Sequence, residues 1–473
     1  MPCSRPPQGS RLFYFQRNPF CFKYLQQKKT LPVSRIMPYR NAYVHPFLRL
    51  IYFFFRLLAW LGMSVFFRKR LVLGAENFRF DGPAIVVTNH PSTLMDVFNP
   101  GLPVRQEMFF LANYGLFKHP LMNWLLTRLF CIPVKRREDV GEGEERSNRA
   151  AFEQSFLHLE KNGVLFIAAE GTSWMNRWVR EFKTGAARIA FGAESRNDWN
   201  LEVKIIPVGL SYSAPDKFRS NVVVNCGEAV WPRHWKEAWQ RNPGKAVADF
   251  TAELQRRVSA LAIHARDEAG EKWVNRWEEM LENESPNAFK ENFFRLKFLA
   301  ETQLDNEELK SKTRRYFADL QNARLTDLGL KSWVAPNAKW RTFSDSFLLV
   351  FCLPFFLVGY LFWFLPCFLP WLLNKQLNLY VGYSSTVKML AGLITFPLAL
   401  WAAHRFLPPL FGWPNAGWLF VLFAVALGIF AEYYMNVARR AWERFKVGRF
   451  SQKDPEKFEA LAALRRAILS FEK

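Results

Sequence analysis

At 473 residues the chain is too long for one compact core, so two or more structural units are expected. Half of its residues are apolar, and its 47 Phe and 18 Trp are a surplus that suits bilayer cores and interfaces. A net charge of +22 calls for a polyanion, either nucleic acid or an anionic lipid surface. The basic clusters flank apolar segments and no nucleic-acid module is recognisable, which selects the lipid.

Residues 1–40 hold eight Lys or Arg and no Asp or Glu, with Pro and Gln interspersed. This predicts a disordered basic leader, with Met37 as a candidate initiator. The stretch from Phe47 to Phe67 is apolar but carries Arg49 and Arg56, and Arg68, Lys69 and Arg70 follow it. Residues 41–70 are therefore expected to form an interfacial membrane-anchor helix, lying in the headgroup plane and held by the basic triplet.

From 71 to 235 the pattern changes. Short apolar, β-branched runs recur at Ala84–Thr88, Cys131–Val134, Val164–Ala168, Val203–Val208 and Val222–Val224. Helical stretches such as Ser147–Lys161 and Thr184–Ala193 lie between them. Buried strands alternating with helices predict an α/β domain, a mixed sheet flanked by helices. Residues 236–342 are polar and helical in character, with Phe250, Leu254, Val258 and Leu261 at helix spacing, and form a helical extension.

A membrane domain is expected over 343–437. Ser346–Leu373 runs 28 residues without a charge, longer than the ~20 a span needs. Pro354, Pro366 and Pro370 lie inside it and predict a re-entrant or kinked segment. Two spans are expected near 387–407 and 416–436. The basic amphipathic tail 438–473 begins with Arg439, Arg440, Arg444, Lys446 and Arg449, then aligns Phe458, Leu461, Leu464, Ile468 and Phe471 on one helix face. Positive charge beside the last span predicts a cytoplasmic C-terminus, with the catalytic domain on that side too.

Cys3, Cys21, Cys131, Cys226, Cys352 and Cys367 show no CxxC pair, and the seven His no HExxH spacing. They read as reduced thiols with no metal site.

The chemistry sits at a few strand ends. Val86–Asp96 reads as a strand that delivers His90 to a helix start, with Pro91 at the first helical position and Ser92 and Thr93 meeting free amides. Asp96 would hold the His90 imidazole in the tautomer that accepts a hydroxyl proton. Further on, Ile132–Arg136 is a strand end carrying a cation. Phe166–Ser173 is a strand ending in Glu170, Gly171 and two hydroxyls. Lys183 stands at the entrance of a helix, and Ile205–Gly209 is another buried strand.

At these residues the chain resembles the glycerolipid acyltransferase family, whose members acylate glycerol-3-phosphate or lysophosphatidic acid. Its four ordered blocks, a His/Asp block, an Arg block, a Glu-Gly-Thr block and an apolar Pro block, are present across roughly 80–235. The resemblance implies that His90 is the general base and Asp96 its partner. It implies that Arg136 contacts the acceptor phosphate, that Glu170, Gly171 and Thr172 complete the acceptor site, and that Pro207 belongs to an apolar wall near the acyl chain. Lys183 is added on physical grounds as a second cation.

Two departures stand out. Five residues separate His90 from Asp96 where the family usually has four; a continuous helix puts neither spacing on one face, so the His must precede the helix, where a loop can absorb an extra residue. A membrane-embedded glycerol-3-phosphate acyltransferase branch, similar in its Lys-x-Gly-x-Ala helix start to Lys183–Ala187, uses this longer spacing. Ala169 stands where Pro is usual before Glu-Gly-Thr, and Ser173 where Arg is common after it. The expected function is a membrane-bound O-acyltransferase moving a fatty acyl group from acyl-CoA or acyl-carrier protein to glycerol-3-phosphate. Lysophosphatidic acid is the alternative acceptor, and a non-catalytic lipid-binding membrane protein is the alternative from another class. The acyl thioester is a co-substrate and no cofactor is expected.

Overall fold

The computed structural model describes residues 46–128, 130–135 and 148–471. Arg136 and the leader 1–40, with Cys3, Cys21 and Met37, lie outside these residues.

An apolar helix, α1 (Pro46–Phe66), leads into a mixed sheet built from seven strands among the described residues. These are β1 (Lys69–Leu73), β2 (Ala84–Thr88), β3 (Met108–Asn113), β4 (Cys131–Val134), β5 (Val164–Ala168), β6 (Lys204–Tyr212) and β7 (Asn221–Cys226), in the order β1-β7-β6-β2-β5-β3-β4. All pairings are parallel except the β6–β7 hairpin. Helices α2 (Leu94–Gly101), α3 (Pro120–Arg128), α4 (Arg149–Leu159) and α5 (Gly185–Arg196) make the crossovers.

The central strand β2, Ala-Ile-Val-Val-Thr, is buried at every position. Its side chains alternate between faces. Ile85 and Val87 pack with Ile189, Phe250 and Leu254, whereas Ala84 and Val86 pack with Met63, Phe66 and Met95. Helices on both faces explain why the strand reads as an unbroken apolar run. Strands β1 and β3 were not visible in the sequence. Lys69 and Arg70 hide the first, and β3 is only half buried.

The charges of the basic triplet after α1, expected to hold the helix against lipid, have partners within the protein. Lys69 and Arg70 are strand residues. Arg68 binds Asn221 and Glu282, and Arg70 donates to Asn99. Arg49 and Arg56 also have protein partners, Glu107 and the carbonyls of Leu102 and Arg105.

Helices α6 (Lys236–Arg241) and α7 (Pro243–Leu261), expected in the extension, instead cover the sheet, where Trp239, Phe250 and Leu254 join its core, whereas α8 (Glu268–Glu284), α9 (Phe289–Thr302), α10 (Glu307–Asn322) and α11 (Asp327–Val334) form the extension. Its core of Trp277, Leu296, Tyr316 and Leu330 includes Val223 of the sheet, so domain and extension are one body. Three long apolar helices follow: α12 (Ala338–Leu377), α13 (Ser384–Leu410) and α14 (Gly417–Lys453). With α1, they are long and apolar enough to cross a membrane by length and composition. The segment expected to be re-entrant or kinked lies within the single 40-residue helix α12. The last helix, α15 (Pro455–Ser470), returns to the extension, where Leu461 and Ile468 join the core and Arg465 pairs with buried Asp327.

Candidate active site

His90 lies just beyond the carboxyl end of β2, and α2 begins at Leu94. The His therefore precedes the helix, and Asp96 sits in its first turn. The expected roles of Pro91, Ser92 and Thr93 at the helix start need correcting. Neither hydroxyl caps α2. Ser92 Oγ donates to the Pro215 carbonyl, and Thr93 Oγ1 to that of Gly382 at 3.0 Å. Asp96 satisfies the Ser92 amide instead, at 2.6 Å.

Between His90 and Asp96 the backbone is unusual at Thr93. Its φ of 46° is a left-handed value that a β-branched residue adopts at a cost of roughly 1–3 kcal/mol. Contacts from other elements hold it there: its amide donates to Ser173 Oγ, and its hydroxyl meets Gly382 and Thr386.

Asp96 is fully buried and collects three donors. They are His90 Nδ1 at 2.9 Å, the Ser92 amide, and Tyr212 Oη at 2.7 Å. Burial, reinforced by the Asp96 charge, raises the Tyr212 phenol well above its ordinary range, so it stays a donor. Asn99 donates to Tyr212 and is itself held by Arg70, which carries the chain of contacts back to β1. With Nδ1 committed to a carboxylate, the basic nitrogen of the His90 ring is Nε2. Asn89 exchanges two hydrogen bonds with the Leu210 backbone and fixes the strand end.

The Glu170 turn lies beside this loop because β5 pairs with β2. Thr88 faces Ala168 in register, the Ala169 amide donates to Thr88, and the Trp174 amide donates to His90. Glu170 is buried, and burial pushes its carboxyl up to about 8, with Asp96 nearby adding to the rise. Gly171 has φ 76°, and a Cβ there would meet the Lys183 side chain at 3.3 Å. That contact lays the exposed Lys183 stem across the turn, while the Lys183 amide donates to Ala169 at 2.7 Å. Thr172 follows in the same turn.

The structure thus brings His90, Asp96, Glu170, Gly171, Thr172 and Lys183 together. Pro207 lies apart from these hydrogen bonds. It pairs with Val87 inside the sheet, and its ring packs near Gly227. Sequence reasoning missed Tyr212 and Arg180. Tyr212 is brought in only by the β6 register, over a separation of 116 residues. Arg180 lies over Trp174 and Trp178, at 4.1 Å and 5.2 Å from the ring centres. Its amide donates to Glu170, and its Nε is a buried donor without a partner among the described residues. The alternation of Trp and Arg from Trp174 to Arg180 was the available signal.

Comparison with known proteins places this site in a family. Residues 69–211 match the family described as Acyltransferase. A chloroplastic 1-acyl-sn-glycerol-3-phosphate acyltransferase of Brassica napus is 29% identical over 133 residues, 28% of this chain and 36% of that protein. Glycerol-3-phosphate O-acyltransferase 2 of Saccharomyces cerevisiae is 29% identical over 125 residues, 26% of this chain and 17% of its own length. The chain thus spans about a third or less of these curated relatives. The crystal structure of a 1-acyl-sn-glycerophosphate acyltransferase from Thermotoga maritima aligns with a TM-score of 0.32 at 21% identity, covering 46% of this chain and 86% of that one. Residues 69–211, which hold His90, Asp96 and the Glu170 turn, thus match the Acyltransferase family, and the relatives similar to them act on glycerol-3-phosphate or its 1-acyl form.

Proposed function

We propose that this protein is a membrane-bound O-acyltransferase that transfers a fatty acyl group from acyl-CoA or acyl-carrier protein to glycerol-3-phosphate. The observation that carries the reading is the His90 ring, oriented by a buried Asp96 and leaving Nε2 as its base. The acceptor hydroxyl gives its proton to Nε2 as its oxygen attacks the thioester carbonyl. The C–S bond then breaks, and the departing thiolate takes the proton back from His90. The thioester is already activated, so an oriented base and a held acceptor suffice for the step.

The acceptor phosphate needs cations near this ring. Arg136 is retained in that role from the family resemblance, and Lys183 from its place over the Glu170 turn. Arg180 is added here, because its unpartnered Nε can donate to a phosphate oxygen. Glu170, kept largely protonated at neutral pH, adds a hydroxyl donor and no repelling charge. Pro207 stays a candidate for the apolar wall. The bilayer, the acyl thioester and the glycerol-phosphate acceptor are the partners, with catalytic domain and C-terminus on the cytoplasmic side.

Lysophosphatidic acid is the second reading, favoured by the plant relative named above. Thiol release from palmitoyl-CoA, with each acceptor offered separately, decides between them. Release with glycerol-3-phosphate alone is expected. Release with lysophosphatidic acid alone would replace the acceptor, and release with neither, acyl-carrier protein included, would favour the non-catalytic reading.

A further inference from the structure

We propose that the apolar helices do not cross the bilayer but lie as a raft in one leaflet, with every described part of the chain on the same side. The proposal rests on the membrane-bound part of the reading above and on none of its chemistry. A crossing helix carries one end ~30 Å away from whatever its other end touches. Helices α1 and α12 are fastened to the catalytic body and its extension near both ends, and α13 and α14 at one end each.

Helix α1 is tied at its first turn by Arg49 to Glu107, and at its last by the Arg219 amide to the Phe66 carbonyl. Tyr52 and buried Met63 hold it in between. Helix α12 begins at Ala338, buried immediately after the extension. Its 40 residues would reach roughly 60 Å at about 1.5 Å per residue. The loop after it nevertheless lies on the catalytic site, where Tyr380 donates to the Ser173 carbonyl at 3.0 Å and the Gly382 carbonyl accepts from Thr93. Because catalytic domain and extension share one core, both ends of α12 rest on one body. A crossing helix of that length would carry one end away from the body, so the two contacts favour a course along it.

Helix α14 runs antiparallel to α12, with Arg444 against Thr342 and Trp363 against the Ala424 carbonyl. It meets the body at Glu432, paired with Arg219, and at Glu443, which accepts from Thr326. From Glu432 back to Gly417 is roughly 22 Å of helix at about 1.5 Å per residue, short of a bilayer core. Helix α13 is pinned beside the catalytic loop by Lys388 on the Asp216 carbonyl, and at its far end His404 packs on Gly417. Its tip therefore stays level with α14. The opposite faces carry the lipid-facing side chains, with Phe351 70% and Leu361 71% exposed. Arg444, counted in the sequence as a cytoplasmic topology charge, is buried against Asp345, so it does not report a crossing.

The test is labelling of the purified full chain in sealed phosphatidylethanolamine–phosphatidylglycerol vesicles, with a membrane-impermeant maleimide added outside or trapped inside. In a background lacking the native cysteines and checked for folding by its melting transition, Asn415→Cys probes the α13–α14 turn and Ser470→Cys the terminal helix. Ser470→Cys marks the side of the body. Asn415→Cys is expected to react from that side or, buried in the leaflet, only after detergent is added. Reaction of Asn415→Cys from the opposite side would overturn the raft. Failure of the chain to stay with the vesicles at all would overturn the membrane-bound reading beneath it.

Discussion

Strand β2 and helix α12 are both unbroken apolar runs, and the structure treats them in opposite ways. Ile85, Val86 and Val87 are fully buried, whereas Phe347, Val350 and Phe351 are each two-thirds or more exposed. The difference lies in what covers them. A five-residue strand at the centre of a sheet is closed by neighbours on two edges and helices on two faces. A 40-residue helix fastened at its ends packs on the two helices that follow it and leaves these large side chains uncovered. Apolar content alone therefore says that a segment leaves water. Length and anchoring decide whether it enters a core or a bilayer.

Substitutions can break this comparison, and the largest effect is expected at the carboxyl end of β2. His90→Ala should lower the acyl-transfer rate by about 10²–10⁴-fold in a protein that still folds, with the lost hydrogen bond to buried Asp96 lowering the melting transition modestly. Loss of folding along with activity would make His90 structural.

Next comes packing. Phe166→Ala, in the sheet core, should cost about 3–5 kcal/mol in denaturant unfolding in detergent. Phe351→Ala on α12 should stay within about 0.5 kcal/mol in the same assay and weaken vesicle binding instead. Equal destabilisation by the two would end the distinction between core and lipid-facing surface.

At the acceptor site, Arg180→Ala should raise the KM for the phosphate-bearing acceptor by roughly 10–100-fold and leave that for the acyl thioester alone, as for a lost charged hydrogen bond of about 1.5–3 kcal/mol. A change confined to the thioester KM would assign Arg180 to the donor.

The last effect is read in pH dependence and concerns Glu170. Its carboxyl titrates at about 8 when folded against 4.5 as its ordinary value, so the folded state holds a proton that the unfolded state releases. Stability from this group is complete below 4.5 and is lost as pH rises through about 8. Glu170→Gln should flatten the pH dependence of unfolding within that window. An unchanged slope would mean that Glu170 is not held neutral.

Much of the site was legible because its residues sit next to strand ends that the sequence marks by composition. Val164–Ala168 and Ala84–Thr88 are found at their observed bounds, and they carry Glu170 and His90 with them. What the sequence could not carry was pairing. Tyr212 reaches Asp96 only because β6 lies beside β2, and Thr93 is strained only because residues 173, 382 and 386 converge on it. The partners of Arg49 and Arg56, which the sequence reads as marks of an in-plane helix, were hidden for the same reason: Glu107 and the Leu102 carbonyl come to them from later in the chain.

The central claim is that an oriented His90 drives acyl transfer, and the most direct measurement is thiol release by the full-length protein in membranes, with palmitoyl-CoA and glycerol-3-phosphate, for wild type and Asp96→Asn. The account predicts turnover by the wild type and a loss of two or more orders of magnitude in a variant that still folds, since an amide can pair with Nδ1 in the wrong tautomer. Turnover near the wild-type rate in a folded Asp96→Asn protein would contradict it.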